Sequence, residues 1–179
     1  MSSMYLNNPS AVCELRAPDQ SDEEFHHSLK QIARHMVPAW AEISEESIDI
    51  APLTGGISNM LFVLMSGSER LIIRLFGNGT ELFINRDTEN KVFCRLSTLD
   101  MAPTFHGLFC GGRIEGYFDA RPLDPDEMSR SEIFPKVAKL VARTHAVNME
   151  IIDTSVCLWT KINGFFDLAK GDSINISKL

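Results

Sequence analysis

Residues 53–76 read Leu53-Thr-Gly-Gly-Ile-Ser-Asn-Met-Leu-Phe-Val-Leu-Met-Ser-Gly-Ser-Glu-Arg-Leu-Ile-Ile-Arg-Leu-Phe76. Two β-type apolar runs, Met60–Met65 and Leu71–Phe76, are joined by Ser66-Gly67-Ser68, a hairpin signal. Ahead of the first run stand Gly55 and Gly56, then Ser58 and Asn59. A glycine pair suits an ordinary turn, where glycine supplies φ > 0. The same bare backbone also lets consecutive N–H groups approach anionic oxygens, with Ser58 and Asn59 adding side-chain donors. Taken alone, the pair favours the turn.

Arg74 shifts that balance. A single cation interrupts the apolar strand Leu71–Phe76, and an unpaired charge half-buried in a sheet costs several kcal/mol or more. The segment Asp87–Leu99 has helical spacing, with Glu89, Val92, Phe93 and Leu96 at i, i+3, i+4 and i+7, so Glu89 lies on the inward face. An inward Arg74 and an inward Glu89 make a plausible pair. A purely structural ion pair explains them as well, but a glycine loop just upstream in the same small sheet favours a nucleotide-phosphate site.

Further β-type runs lie at Ile48–Leu53, Thr104–Phe109 and Arg113–Phe118, with Cys110-Gly111-Gly112 as a second hairpin turn. The predicted order is three strands, a helix and two strands, an α+β fold with one five-stranded antiparallel sheet. The fifth run, Arg113-Ile-Glu-Gly-Tyr-Phe118, continues into Asp119-Ala-Arg-Pro122. An extended segment leaving a sheet, here Glu115, Gly116, Tyr117 and Phe118, offers backbone donors and acceptors to a flat base. An edge strand followed by a proline-containing link is the plainer alternative.

Outward from this core, residues 1–20 show no period and read as a flexible lead-in. Ser21-Asp-Glu-Glu24 offers a capping box for a helix near 22–36, with Phe25, Leu29, Ile32, Ala33 and Met36 on one face. His26, His27 and His35 lie on that helix without Cys or carboxylate at ligand spacing, so they read as solvated residues. After Pro122-Leu-Asp-Pro125, a helical pattern carries Ile133, Phe134, Val137, Leu140, Val141 and Thr144 on one side, with Ser131 the preferred cap. A last amphipathic stretch runs from Leu158 to Lys170. The corresponding division is 1–20 lead-in, 21–45 N-terminal helix, 46–121 sheet unit, and 122–179 linker with the first helices of a second unit.

Composition excludes several classes. Apolar residues make up 44% and charged residues 23%, unlike a disordered chain. A net charge of −7 without a Lys/Arg cluster argues against nucleic acid and anionic membrane as partners. No apolar run approaches the ~18 residues of a membrane span, and no targeting signal is read. Cys13, Cys94, Cys110 and Cys157 are widely spaced and form no C-x-x-C, so a cytoplasmic protein with free thiols is expected.

The elements in this order resemble the N-terminal lobe of the protein-kinase-like fold, and the residues resemble its choline/ethanolamine kinase branch from about Pro52 to Lys170. Leu53-Thr-Gly-Gly-Ile-Ser-Asn59 is similar to that family's phosphate-binding turn. Ile73-Arg-Leu-Phe-Gly77 resembles its third strand, where Arg replaces the kinase Lys. Thr80-Glu-Leu-Phe-Ile-Asn-Arg-Asp-Thr-Glu89 is like the segment that carries the helix glutamate. Ala102-Pro-Thr104, Gly112-Arg-Ile-Glu-Gly-Tyr-Phe118, Arg121-Pro-Leu-Asp-Pro125 and Ala142-Arg-Thr-His-Ala146 follow in family order. Within the family, Gly77-Asn-Gly-Thr-Glu-Leu82, Leu123-Asp-Pro125, Thr144-His-Ala146 and Leu158-Trp-Thr-Lys161 look more like ethanolamine kinases. Gly55-Gly-Ile-Ser-Asn59 and Gly112-Arg-Ile-Glu115 look as much like choline kinases.

The resemblance implies transfer of the ATP γ-phosphoryl group, with Mg²⁺, to the hydroxyl of ethanolamine or choline in phospholipid head-group synthesis. It places Gly55, Gly56, Ser58, Asn59, Arg74, Phe76, Gly77, Glu89, Glu115, Gly116, Tyr117 and Phe118 around the nucleotide. The sequence departs from the family at the chemical step. Such transfer uses H-x-D-x-x-x-x-N and a later metal-binding Asp, and none of the five histidines is followed two residues on by Asp. Asp153 lacks the expected neighbours of a substitute metal ligand. The expectation is therefore a chain truncated before its catalytic loop and inactive alone. The alternative is a non-catalytic module that binds nucleotide weakly, self-associates, or pairs with a full-length kinase.

Overall fold

Alternation along the third β-run sends Leu71, Ile73 and Leu75 to one side of a sheet and Ile72, Arg74 and Phe76 to the other. In the computed structural model, which describes residues 23–53, 59–77, 80, 84–149 and 158–171, each side is covered by a different helix. The strands are β1 (Asp49–Leu53), β2 (Asn59–Ser66), β3 (Glu69–Phe76), β4 (Phe105–Phe109) and β5 (Gly112–Gly116), all paired antiparallel in the order β1-β2-β3-β5-β4. The expected five-stranded sheet is present. Its fifth strand, however, is interior: β5 lies between β3 and the edge strand β4.

Helix α1 (Glu23–Met36) starts with Glu23 and Glu24 and ends with Arg34 and His35, charges matched to its dipole. It lays Phe25, Leu29, Ile32, Ala33 and Met36 on the apolar face of the sheet. There they meet Trp40, Ile48, Phe62, Leu64, Leu71, Ile73, Leu75 and Ile114 in one core. Complete burial of a Leu or Phe side chain stabilises by ~1.5–3 kcal/mol, and Leu29, Phe62, Leu64, Ile73 and Ile114 are all essentially inaccessible. Of the helix histidines, His27 bonds Glu45 through Nδ1 at 2.5 Å, and His26 lies against the Phe25 and Phe62 rings.

Two close approaches depend on glycine. Gly67, with φ +60°, forms the two-residue β2–β3 turn. A Cβ on Gly112 would stand 2.4 Å from the Arg74 carbonyl oxygen and 2.5 Å from Phe109 Cζ, so β3 and β5 approach each other there only because the side chain is absent.

Helix α2 (Arg86–Ser97) follows β3 and covers part of the sheet's other face. Asn85 caps it by accepting the Thr88 N–H at 3.0 Å. The Phe93 ring meets Phe105 at a centroid distance of 6.0 Å, which ties the helix to β4.

Beyond β5 come α3 (Pro125–Met128), α4 (Phe134–His145) and α5 (Leu158–Gly171). Asp124 and Glu127 form a capping box on α3. Ser131 does not cap α4: Ile133 occupies that position and makes no side-chain cap bond. The short α3 and the turn after it use up the segment in which Ser131 lies, while Pro135 still falls in the first turn of α4, where its missing N–H is harmless. On α4 and α5, Phe134, Leu140, Val141, Leu158, Trp159, Phe165 and Phe166 are exposed. No helix among the described residues is long and apolar enough to cross a membrane.

The expectation of free thiols throughout is not met. Cys94 is buried and outside any disulfide, but Cys110 is disulfide-bonded. Wide spacing in sequence does not exclude a disulfide, because pairing depends on distance in space.

Candidate functional site

Register sets the geometry on the polar face of the sheet. Arg74 of β3 is directly opposite Arg113 of β5, and Ile72 is opposite Glu115. Like charges in direct cross-strand contact repel, so something must sit between the two guanidinium groups. Glu115 does so. Its Oε1 accepts from Arg74 Nε at 2.6 Å and from Arg113 Nε at 2.6 Å, and its Oε2 lies 3.4 Å from Arg74 Nη2. Glu115 and Arg113 are almost wholly buried, with 3% and 4% side-chain exposure, whereas Arg74 retains 23%.

The expected Arg74–Glu89 pair is therefore not formed. From the first turn of α2, Glu89 instead accepts from Arg86 Nη1 at 2.6 Å and from Arg113 Nη1 at 3.2 Å. The physical reason is proximity along the sheet: Glu115 lies on the strand adjacent to Arg74 and on the same face, and it reaches the guanidinium first. Arg113 Nη1 also donates to the buried Asn90 Oδ1 at 2.9 Å, and its guanidinium lies 4.3 Å from the Phe93 ring centroid.

Burial alone would raise the Glu89 carboxyl. The hydrogen bond from Arg86, with the charges of Arg113 and Arg86, outweighs burial and holds its pKa below the ordinary carboxylate value.

At the other end of α2's first turn, Arg86 links three parts of the site. Its Nη2 donates to Asn59 Oδ1 at 3.3 Å, where β2 begins, and to Thr80 Oγ1 after β3. Its guanidinium covers the Phe76 ring at 4.4 Å from the centroid. Thr80 in turn donates through N (3.3 Å) and Oγ1 (2.7 Å) to the Gly77 carbonyl. The face thus holds Arg74, Arg86 and Arg113 against Glu89 and Glu115, a connected chain of ion pairs with one positive charge in excess.

Of the residues singled out in the sequence, Asn59, Arg74, Phe76, Gly77, Glu89 and Glu115 are gathered on or beside this face. Gly55, Gly56 and Ser58 lie outside the described residues, as does Asp153. Gly116 continues β5, and its N–H is engaged by the Thr104 carbonyl at 2.8 Å. Tyr117 packs under Arg70, 5.2 Å from guanidinium to centroid, and Phe118 is exposed, with its carbonyl accepting from Ala120 N–H at 2.9 Å.

Sequence reading missed Arg86, Asn90 and Arg113. The signal for Arg113 was present as charged residues at i and i+2 in one β-run, and that for Arg86 as an arginine three residues before Glu89.

The described residues do not fit a magnesium site. They contain no group of three or more His, Cys, Asp or Glu side chains able to hold a metal, and Glu89 and Glu115 are already occupied by guanidinium groups.

The choline/ethanolamine kinase family model matches residues 50–178. Similar curated proteins include probable ethanolamine kinase B of Dictyostelium discoideum, 32% identical over 142 residues, which spans 76% of this chain and 31% of that protein. Probable choline kinase 3 of Arabidopsis thaliana is 28% identical over 162 residues, spanning 86% of this chain and 45% of that one. Among solved structures, the choline kinase of Cryptosporidium parvum superposes with a TM-score of 0.64 at 28% identity, covering 80% of this chain and 43% of that one. An ethanolamine kinase of Plasmodium vivax shares the fold, with a TM-score of 0.67 at 24% identity. The chain spans less than half the length of these relatives. With the sheet order, the arginine-bearing third strand and the family match over residues 50–178 in agreement, the chain belongs to the choline/ethanolamine kinase family.

Proposed function

We propose that this chain forms the nucleotide-facing half of an ATP-dependent kinase that phosphorylates ethanolamine, or choline, for phospholipid head-groups. The single observation that carries the reading is the net-positive arginine face of the sheet, placed where β2 emerges at Asn59 from the Gly55-Gly56 segment. A guanidinium held in a partly dry site is suited to phosphate oxygens. Bound ATP would be held by this face and by the Gly55–Asn59 segment, while Tyr117 and Phe118, just past β5, would border the base. The family's chemistry also calls on a divalent metal. No described residue of this chain is positioned to hold one, and its sequence contains no H-x-D. Phosphoryl transfer is chiefly positioning and charge stabilisation, and this chain supplies the cationic part of that work without a base for the attacking hydroxyl.

The test is titration of the purified chain with ATP and adenosine, followed by assay with labelled ATP and either ethanolamine or choline. The expected result is tighter binding of ATP than of adenosine, with no phosphorylated amino alcohol formed. Turnover at roughly the 1–100 s⁻¹ of kinases would overturn the assignment of inactivity, and equal affinity for ATP and adenosine would overturn the phosphate site.

The second reading, a non-catalytic module that pairs with a full-length kinase or with itself, is favoured by the apolar residues exposed on α4 and α5. A monodisperse monomer that binds no hydrophobic dye would count against it.

A further inference from the structure

Resting on the nucleotide reading above, we propose that Glu115, and not the helix residue Glu89, is the positioning residue that presents Arg74 to the nucleotide's phosphates, with Arg113 as the buried counter-cation that keeps Glu115 in place.

Three observations carry this. Glu115 Oε1 receives the Nε–H of both arginines at 2.6 Å, so one buried oxygen fixes the orientation of two guanidinium planes. The bonds engage the Nε edge of Arg74 and, more weakly, Nη2. Among the described residues, Nη1 makes no hydrogen bond, and Arg74 is the most exposed of the three arginines, at 23% against 15% for Arg86 and 4% for Arg113. Glu89, meanwhile, is occupied by Arg86 and Arg113. An anion reaching this face therefore meets a guanidinium held along one edge and open along the other. A neutral residue at 115 would leave Arg74 and Arg113 facing each other across the β3–β5 register without an intervening charge.

The experiment compares the 179-residue wild-type chain with Glu115→Gln and Glu89→Gln, reading two quantities. The first, without ligand, is protection of the Arg74 Nε–H signal in ¹⁵N NMR, assigned by its absence in Arg74→Lys. The second is the ratio of ATP to adenosine affinity by calorimetry. The proposal expects the Arg74 signal to survive Glu89→Gln and to be lost in Glu115→Gln, with the ATP/adenosine ratio falling about tenfold or more in Glu115→Gln. Should Glu115→Gln fail to fold, Glu115→Asp takes its place, which keeps the charge but shortens the reach; the signal is again lost. Survival of the signal in the Glu115 variant, its loss in Glu89→Gln, or an equal fall in ATP and adenosine affinity overturns the proposal. If the wild-type chain binds no ATP, the nucleotide reading fails on its own, and the Arg74 signal still decides whether Glu115 holds that side chain.

Discussion

Arg74 and Arg113 are direct cross-strand partners on β3 and β5, and one oxygen of Glu115 accepts the Nε–H of each at 2.6 Å. Two like charges at this spacing are tolerable only with the carboxylate between them. Glu115→Ala should therefore lower stability by about 3–5 kcal/mol, the cost of breaking a buried pair from one side. Urea unfolding followed by circular dichroism measures it; a loss below 1 kcal/mol would show that the pairing contributes little to the fold.

Glu89 should make the fold acid-sensitive. Its folded-state pKa lies below the ordinary value, because Arg86 and Arg113 outweigh the effect of burial. A depressed carboxyl contributes stability that is complete above the unfolded pKa, about 4.3, and is lost as pH falls through the lower folded value. The urea midpoint should accordingly drop as pH is lowered from about 5 toward 3, and the drop should be smaller in Glu89→Gln. An identical pH profile in the two proteins would refute this.

Glu127, on α3 and paired with the exposed Arg121, offers a local check. The hydrogen bonds from Arg121 and from the Asp124 N–H lower its pKa to about 2. In Arg121→Gln the carboxyl titration followed by NMR should move up toward about 4.3, with at most a small change in the urea midpoint, since Arg121 is largely exposed and its charge is screened by water.

Gly112→Ala should destabilise by about 1–3 kcal/mol or more, because the added Cβ would fall 2.4 Å from the Arg74 carbonyl oxygen, a backbone atom that cannot step aside cheaply. Gly67→Asn is the control: its φ of +60° is one that Asn accepts, and nothing lies within 4 Å of the added Cβ. Comparable losses at the two positions would argue against the close β3–β5 approach.

Leu29→Ala on α1 should cost about 2–5 kcal/mol, since Leu29 is fully buried between the helix and the sheet. Trp159→Ser on α5, at 70% exposure, should change stability by no more than about 0.5 kcal/mol. Paired denaturation curves would separate the two, and a small effect at Leu29 would mean that α1 does not belong to the core.

Most of the sheet was legible because its signals are local. Alternation in Leu71–Phe76, the Ser66-Gly67-Ser68 turn and the 3.6-residue spacing of Phe25, Leu29, Ile32 and Met36 each depend on neighbours within a few positions. The cap of α4 was misread at Ser131 because another short helix, α3, competes for the same polar segment. The fifth strand gave no local sign of being interior, since an edge strand and a covered one of five residues look alike in sequence.

By itself, the sequence determined the α+β order, the face on which Arg74 must lie and the need for an anionic partner, because strand alternation and the cost of an unpaired buried charge are properties of the chain near that residue. Only the tertiary structure decided which carboxylate answers Arg74. Glu89 and Glu115 are 15 and 41 residues away along the chain, yet β5 inserts beside β3 and brings the more distant one within 2.6 Å. Ion pairing depends on distance in space, and the strand order sets that distance.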